Sequence, residues 1–194
     1  MDDVAIMGGS FNPIGLHHER MARLIKWHLH MPVWLMPCYD HQFEKDSELI
    51  DHVHRWNMVT EAVSGAGDWL VPCDWEIAHR HNGSMYDTME QLVAAHPNIY
   101  FHIVIGMDNA AVISQWDRGL QLIKMFPFVV FWRPPISAPL WCYRSPHKVL
   151  SFDRPISSTK IRQAIREGDY DFAKRHLNPR VWDYIRTGKL YQGD

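Results

Sequence analysis

The sequence predicts an α/β protein built on an open parallel sheet with helices on both faces. Short apolar runs that are typical of buried strands alternate along the chain with segments of helical period. The clearest strand, Ile99–Ile105, is continuous and rich in β-branched residues, as strands buried on both faces are. Alternation of this kind favours parallel pairing, because a helix is the usual connection between parallel strands.

The apolar runs place strands at Val4–Met7, Val33–Met36, Trp69–Val71, Ile99–Ile105, Phe128–Trp132 and Lys148–Phe152. One helix is expected after Asn12-Pro13. Further helices are predicted at Asp51–Ser64, Tyr86–Ala95, Ala110–Trp116, Gly119–Met125, Ser157–Glu167, Tyr170–His176 and Arg180–Thr187. The proline-rich stretch Arg133–Pro146 is predicted to be an irregular surface loop. The pattern indicates a single Rossmann-like domain over residues 1–194, with a helical C-terminal part at about 157–191.

The periodicity of individual segments supports these assignments. In Asp51–Ser64 the apolar residues recur at helical spacing, with Val53 and Val59 on the face expected to be buried. Gly65-Ala-Gly67 ends that helix, and Pro37 ends the second strand. In Tyr86–Ala95 the apolar face is expected to carry Met89, Leu92 and Val93.

Composition describes an ordinary globular protein, with 46% apolar and 22% charged residues. The net charge of -2 argues against a broad nucleic-acid surface. No apolar run approaches the roughly 20 residues of a membrane span, and the first residues lack a secretory pattern. The three cysteines are far apart and form no Cys-x-x-Cys pair, which favours reduced thiols in the cytoplasm.

The stretch from Ala5 to Ala22 organises the chain. Its strand ends in Gly8-Gly9, where missing Cβ atoms allow a sharp turn and the close approach of a ligand. A helix starts beyond the loop, and its free backbone N–H groups and dipole form an anion site. His17 and His18 lie at this helix start, within reach of a bound phosphate. Taken alone, the turn is equally a plain connection between strand and helix.

A second stretch, Ile156-Ser-Ser-Thr-Lys-Ile-Arg162, also begins a helix. Its hydroxyls and N–H groups suit nucleotide phosphates, and Arg162 follows one turn later. The two stretches resemble the motifs G-[ST]-F-[DN]-P-x-H-x-G-H and I-S-S-T-x-I-R of the nucleotidyltransferase superfamily. Within it, the chain is most similar to the nicotinate and nicotinamide mononucleotide adenylyltransferases, from Val4 to Tyr191.

This resemblance implies adenylyl transfer from ATP, carried with Mg²⁺, to a pyridine mononucleotide. The catalytic residues that it implies are His18, His17 and Arg162. Those implied for ATP binding are Gly8, Gly9, Ser10, Phe11, His18, Asp108, Ile156, Ser157, Ser158, Thr159 and Arg162. Those implied for the acceptor are Ser10, Phe11, Lys45, Met85, Trp116 and Arg133. It implies no protein-held metal.

The middle of the chain carries weaker resemblances. Gly106-Met-Asp108 followed by Trp116 resembles G-x-D…W, in which the aspartate holds the ATP ribose and the tryptophan stacks on the pyridine. Arg133-Pro134 resembles R-P-G. Gly83–Met89 resembles S-Y-T-x-D-T-L, with Met85 at the threonine that contacts the pyridine substituent.

The first motif departs from the family pattern, because Gly15 stands at its first histidine and His17 at its small residue. Adjacent helical residues point about 100° apart, so His17 is not expected to take the direction of a side chain at position 15 without a local change of the backbone. Either His17 replaces the missing imidazole, or the site has one histidine fewer.

Three functions therefore stay open from the sequence. The first is the pyridine mononucleotide adenylyltransferase. The second is a nucleotide-binding sensor without useful turnover, and the third is a transferase for another acceptor, such as phosphopantetheine or a sugar or alcohol phosphate. The choice between nicotinate and nicotinamide and the oligomeric state, a homo-oligomer included, also stay open.

Overall fold

A computed structural model describes residues 2–40, 49–81, 83–132, 137–152 and 156–192. Within these residues, six strands form one parallel sheet, and they are β1 (Asp2–Gly9), β2 (Val33–Pro37), β3 (Leu70–Pro72), β4 (Ile99–Gly106), β5 (Phe128–Trp132) and β6 (Lys148–Ser151). Their order across the sheet is β3-β2-β1-β4-β5-β6. This is the doubly wound strand order of Rossmann folds, so the predicted fold class is confirmed.

The described residues contain helices on both faces of this sheet. They are α1 (Leu16–Leu29), α2 (His52–Val63), α3 (Trp75–Ala78), α4 (Met85–Ala95), α5 (Met107–Val112), α6 (Gly119–Met125), α7 (Ser158–Arg166), α8 (Tyr170–His176) and α9 (Pro179–Thr187). Short 3₁₀ turns lie at Ile113–Gln115 and Leu140–Tyr143. Within the described ranges, no helix has both the length and the apolar character that crossing a membrane requires.

Alternation along the strands divides the core into two layers. In β1, Ala5 and Met7 point to one face and Val4 and Ile6 to the other. The first face is covered by α1, α2 and the C-terminal helices α7 to α9, and the second by α3 to α6. The side chains of the buried part of this strand, Val4–Met7, therefore all pack beneath helices, as the continuous apolar run predicts.

The sequence predictions were wrong at several element boundaries. The helix expected at Ala110–Trp116 begins instead at Met107 and ends at Val112, and Trp116 has an extended backbone. The chain tightens there because Trp116 N–H donates to the Ile113 carbonyl three residues back. The third strand is shifted one residue, to Leu70–Pro72. The sequence analysis missed α3 and both 3₁₀ turns, which are too short to show a period.

The predicted buried face of α2 was partly wrong. Val53 is 53% exposed, whereas Arg55 in the same turn is 1% exposed. Periodicity assigns a charged side chain to solvent by default, because burial of a charge is costly unless hydrogen bonds satisfy it. The partners of Arg55 are backbone carbonyls from distant loops, and no local sequence pattern predicts such partners.

A substitution in the last helix tests whether residues 1–194 form one domain. Ile185 is fully buried in the core layer that also contains β1, α1 and α2. We expect Ile185→Ala to lower the free energy of unfolding by about 2–5 kcal/mol in a single transition. Leu120→Ala, at a site 60% exposed on α6, should change it by no more than about 0.5 kcal/mol. Separate melting of the C-terminal helices in denaturant would contradict the single domain.

Candidate active site

A cleft of about 370 Å³ opens at the carboxyl ends of β1 and β4. These two strands are neighbours in the sheet, and the connections from them run to opposite sides, which is where ligands bind in doubly wound folds. The predicted ATP-site residues that line the cleft are Gly8, Gly9, Ser10, Phe11, His18, Asp108, Ile156, Ser157 and Ser158. His17, Met85 and Trp116 line it as well. The two motifs thus meet at one cleft, although they are far apart in sequence.

The start of α7 forms one wall of this cleft. Ser157 is its N-cap, and its hydroxyl accepts a hydrogen bond from Lys160 N–H. The Ser158 hydroxyl instead donates to the Pro13 carbonyl over 2.8 Å. One serine therefore caps the helix while the next attaches the helix to the loop after β1.

Arg162 does not line the cleft; it lies behind the loop after β1. The side chain is 3% exposed, and its Nη1 donates to the Asn12 carbonyl over 2.7 Å. The Tyr191 hydroxyl donates to Asn12 Oδ1, also over 2.7 Å. Burial raises the pKa of Tyr191, so this hydroxyl keeps its proton and remains a donor. We call these two bonds and the Ser158–Pro13 bond the loop tie.

The loop itself has an unusual backbone that packing holds in place. Phe11 has a φ of 45°, in the left-handed region that side chains other than glycine rarely adopt. Its ring is buried and meets the His18 ring edge to face, with 5.1 Å between centroids. The conformation persists because Phe11 is fixed by these contacts, as strained residues at functional loops are.

His18 is held in one tautomer by the start of its own helix. The Gly15 backbone N–H donates to His18 Nδ1 over 3.1 Å, so Nδ1 is the acceptor and Nε2 carries the proton. Burial, and to a smaller extent the neighbouring His17 imidazole, hold the pKa of His18 well below its ordinary value. In the free protein, His18 therefore lines the cleft as a neutral donor through Nε2.

His17 lies where the sequence allowed it only with a local change of the backbone, and the N-cap of α1 supplies that change. A Cβ placed on Gly15 would lie 2.7 Å from Nδ1 of His17, so this imidazole occupies the space where a side chain at position 15 would start. The helical rule of 100° per residue does not apply here, because Gly15 is the N-cap, with an extended backbone at φ -122° and ψ 167°. The centroids of the His17 and His18 rings lie 3.8 Å apart, and both residues line the cleft.

Asp108 lies at the end of β4, at the start of α5. Its carboxylate folds back over Gly106, since a Cβ on that glycine would clash with Asp108 Oδ1. Glycine is thus required at position 106 for the carboxylate to take this position beside the cleft.

A smaller side chamber of about 130 Å³ opens from the cleft. The two share Gly8, Gly9, Ser10, Met85, Asn109 and Trp116. Met85 lies against the glycine turn, because a Cβ on Gly8 would be 3.0 Å from the Met85 methyl group. The sequence analysis missed Cys38, Asp40, Glu76, Gly83 and Asn109, which also line the cleft or the chamber.

Glu76 is the least expected of these residues. It lies in the first turn of α3 and is 3% exposed. Its Oε1 accepts a hydrogen bond from the Thr88 hydroxyl over 3.3 Å, and its buried Oε2 has no hydrogen-bond partner among the described residues. Burial raises its pKa to about 7, against smaller lowering effects of Thr88, the Tyr39 N–H and Arg55.

Arg55 holds the back of the chamber. Its guanidinium donates to the carbonyls of Ser10, Cys38, Tyr39 and Ile50 at 2.6–3.1 Å. These bonds connect the loop after β1 to the loop after β2 and satisfy a fully buried cation. No local sequence signal predicts this role.

A surface ion network fixes the outer wall of the chamber. Arg118 donates to Asp87 on α4 and to Asp117, and Asp117 also accepts from the Ser84 hydroxyl. These contacts join the start of α4 to the segment that carries Trp116. They therefore hold Trp116 and the start of α4, which carries Met85, on the same side of the chamber.

Two predicted ATP-site residues, Thr159 and Arg162, do not line the cleft. Thr159 lies in the first turn of α7. Two predicted acceptor residues, Lys45 and Arg133, lie outside the described residues.

Comparison with known proteins gives the same class of protein that the two motifs at the cleft indicate. Residues 6–164 match the family model described as cytidylyltransferase-like. The chain belongs to this class of nucleotidyltransferases.

More specific relatives are similar over almost the whole chain. A probable nicotinate-nucleotide adenylyltransferase of Streptococcus pyogenes serotype M3 is 33% identical, over 97% of this chain and 88% of the relative. A probable nicotinate-nucleotide adenylyltransferase of Listeria welshimeri is 30% identical, over 97% of this chain and 96% of the relative. Within the class, the chain belongs to the nicotinate-nucleotide adenylyltransferase family.

A solved structure supports both the fold and the family. The nicotinic acid mononucleotide adenylyltransferase of Plasmodium falciparum, complexed with NaAD, superposes with a TM-score of 0.80. The two chains are 25% identical, and the match covers 98% of each. The same enzyme complexed with APC gives the same values.

The contact between Gly15 and His17 predicts a change in the titration of His18. We expect Gly15→Ala to push the His17 ring aside, because the new Cβ would lie 2.7 Å from Nδ1. His18 then loses a neighbour that lowers its pKa and gains solvent, so its pKa should rise toward the ordinary value. NMR titration of the imidazole protons measures this rise.

The matched control is the same substitution in a His17→Gln background. There Gly15→Ala should leave the His18 titration unchanged, because the ring that it displaces is absent. An equal shift in both backgrounds would show that position 15 does not act through His17.

Proposed function

We propose that this protein transfers the adenylyl group of ATP to nicotinate mononucleotide, giving the dinucleotide and pyrophosphate. The observation that carries the proposal is the side chamber, which shares the wall Gly8–Ser10 with the cleft. A nucleotide in the cleft and a second nucleotide in the chamber would have their phosphates side by side at this wall. The relatives named for this acceptor support the choice of nicotinate.

The reaction needs alignment more than it needs acid or base catalysis. An oxygen of the acceptor phosphate attacks the α-phosphorus of ATP and forms the new bond. The bond from that phosphorus to the bridging oxygen breaks, and its electrons leave with pyrophosphate. The attacking phosphate is already ionised, so the protein mainly orients the groups and stabilises charge.

We assign the ATP phosphates to the start of α7 and the loop after β1. Free N–H groups at the start of a nine-residue helix and the hydroxyl of Ser157 suit the outer phosphates, while the Ser158 hydroxyl holds the loop through Pro13. The Nε2–H of His18 would donate to the oxygens of the transferring phosphorus. Arg162, one turn into α7, would add positive charge behind these phosphates and hold the loop. Asp108 would accept hydrogen bonds from the ribose hydroxyls.

We assign the acceptor to the side chamber. The pyridine ring would lie against Trp116, and Met85 would form an apolar wall where the family motif has threonine. The backbone N–H groups of Ser10 and Phe11 would bind the acceptor phosphate. Additional contacts from Lys45 and Arg133, both outside the described residues, stay predictions from the sequence.

Magnesium would arrive on the ATP phosphates. This ion takes most of its ligands from phosphate oxygens and water and seldom needs a dedicated protein cage. The cleft fits such an ion, because Asp108, Ser157 and Ser158 offer oxygen atoms to a phosphate-bound cation or its waters. Bound there, the ion would neutralise charge on the leaving pyrophosphate.

A nucleotide-binding protein with little turnover is the second candidate. The observation that favours it is Gly15, which leaves the first histidine of the motif without an imidazole. The position of the His17 ring favours catalysis instead, since it occupies the start of the missing side chain.

Product analysis tests the function directly. The protein is incubated with Mg-ATP and either nicotinate mononucleotide or nicotinamide mononucleotide, and dinucleotide and pyrophosphate are quantified. We expect stoichiometric dinucleotide and pyrophosphate, with a higher kcat/KM for nicotinate mononucleotide. ATP binding without product from either acceptor would contradict the proposal and favour the sensor or another acceptor.

The role of His17 gives a second test by turnover. We expect His17→Ala to lower kcat about 10²-fold, the usual effect of removing one group that stabilises the transition state. Gly15→His combined with His17→Gly recreates the order of the family motif and should return most of the lost turnover. The same pair of changes should not rescue His18→Ala. An unchanged kcat in His17→Ala would exclude a catalytic role for His17.

A further inference from the structure

The side chamber contains a buried carboxyl group that the proposed reaction does not use. Glu76 lines it together with Met85 and Trp116, and its Oε2 is buried without a hydrogen-bond partner among the described residues. We propose that Glu76, as a neutral carboxylic acid, donates a hydrogen bond from Oε2 to the carboxylate of nicotinate mononucleotide and so selects this acceptor. The inference rests on the proposed function and names the residue that would recognise the carboxylate or amide substituent of the pyridine ring.

The hydrogen bonds behind Glu76 determine which oxygen carries the proton. The Thr88 hydroxyl has a single proton, which it donates to Glu76 Oε1. Thr88 Oγ1 also lies 3.3 Å from Nδ1 of His81, and in the tautomer that has its proton on Nδ1 this N–H donates to Thr88. The series runs from His81 through Thr88 to Oε1. Oε1 is therefore an acceptor, and Oε2 is left as the site of the acid proton.

The surrounding groups permit a neutral acid at this position. Burial raises the pKa of Glu76 to about 7 and outweighs the Thr88 hydroxyl, the Tyr39 backbone N–H and the charge of Arg55, which all lower it. Arg55 is engaged by four backbone carbonyls and gives Glu76 no direct ion pair in the described structure. The other titratable groups around it are His81 behind Thr88, and Cys38 and Asp40 at the chamber wall.

The other side-chain donors at the described chamber wall, the Ser10 hydroxyl, the Asn109 amide and the Trp116 indole N–H, keep their protons between pH 6 and pH 9. The position of the family's threonine is filled by Met85, which has no hydroxyl. An ionised Glu76 would repel nicotinate, whereas the neutral acid would satisfy both its own Oε2 and the substrate. An ionised Glu76 would instead accept a hydrogen bond from the amide of nicotinamide. The protonation of Glu76 therefore decides which acceptor is preferred.

This mechanism predicts that acceptor preference changes with pH. The two mononucleotides share the ribose, the phosphate and the ring, so other ionisations largely cancel in the ratio of their kcat/KM values. A group with a raised pKa is neutral below that pKa and ionises above it. The nicotinate-to-nicotinamide ratio should therefore be highest below pH 7 and fall by up to about tenfold per pH unit above it.

The experiment measures both kcat/KM values from pH 6 to pH 9 with saturating Mg-ATP. The wild-type ratio should fall as stated, and Glu76→Gln should make it independent of pH, because an amide does not titrate in this range. Glu19→Gln is the matched control. Glu19 is a second buried glutamate, on α1, hydrogen-bonded to Asn178 and absent from the chamber wall, so this variant should keep the wild-type profile.

A second variant separates recognition from a purely structural role. The Thr88 hydrogen bond lowers the pKa of Glu76, so Thr88→Val should move the fall in the ratio to higher pH. A contact that only supported the fold would leave the position of this fall unchanged.

Two results would overturn the inference: a wild-type ratio that does not change with pH, or a Glu76→Gln ratio that falls like the wild type.

If neither acceptor gives dinucleotide, the proposed function fails. The inference is then tested on its own, by calorimetry of the binding of nicotinate mononucleotide. Nicotinate mononucleotide should bind the wild-type protein more weakly at pH 8.5 than at pH 6.5. It should bind Glu76→Gln with the same affinity at both pH values. A Kd that changes equally with pH in the wild-type protein and in Glu76→Gln would contradict the inference.

Discussion

The attachment of the loop after β1 to the start of α7 is the constraint on which the cleft depends. The carbonyl and side-chain oxygens of Asn12 are bound by Arg162 and Tyr191, and the Pro13 carbonyl is bound by Ser158. These residues come from opposite ends of the chain. Because the tie joins backbone atoms of the loop, it fixes the directions of the neighbouring N–H groups as well as the side chains. A phosphate site made of N–H groups requires that rigidity.

The same loop is held from its other side by Arg55, whose guanidinium binds the Ser10 carbonyl. The buried side chains of Arg55 and Arg162 thus both bind carbonyls of the loop after β1. Neither arginine lines the cleft or the side chamber. Charge placed behind a phosphate site still acts across the low-dielectric interior. Both arginines therefore add positive potential where phosphates would bind while satisfying backbone carbonyls that would otherwise be buried unpaired.

Sequence reasoning predicted the fold class and placed both motifs at helix starts, because strand periodicity and helix-start motifs are local signals. It missed Glu76 and Arg55, since a charged residue is buried only when distant parts of the chain supply its partners. It left the outcome at Gly15 and His17 open, because the helical angle rule holds only within a helix and the sequence did not show that the backbone of the N-cap is extended. These residues depend on tertiary contacts, and a single sequence does not encode those in any local pattern.

The central claim, that the loop tie holds the phosphate site in place, is tested most directly by Tyr191→Phe. Tyr191 does not line the cleft, and its hydroxyl is connected to the loop beside the cleft by its hydrogen bond to Asn12. Calorimetry would measure the Kd of an unreactive ATP analogue, with Tyr170→Phe on the exposed surface as the control. The account predicts weaker binding by about 1 kcal/mol, or roughly fivefold, for Tyr191→Phe alone. An unchanged Kd, in a variant that has lost folding stability, would contradict it.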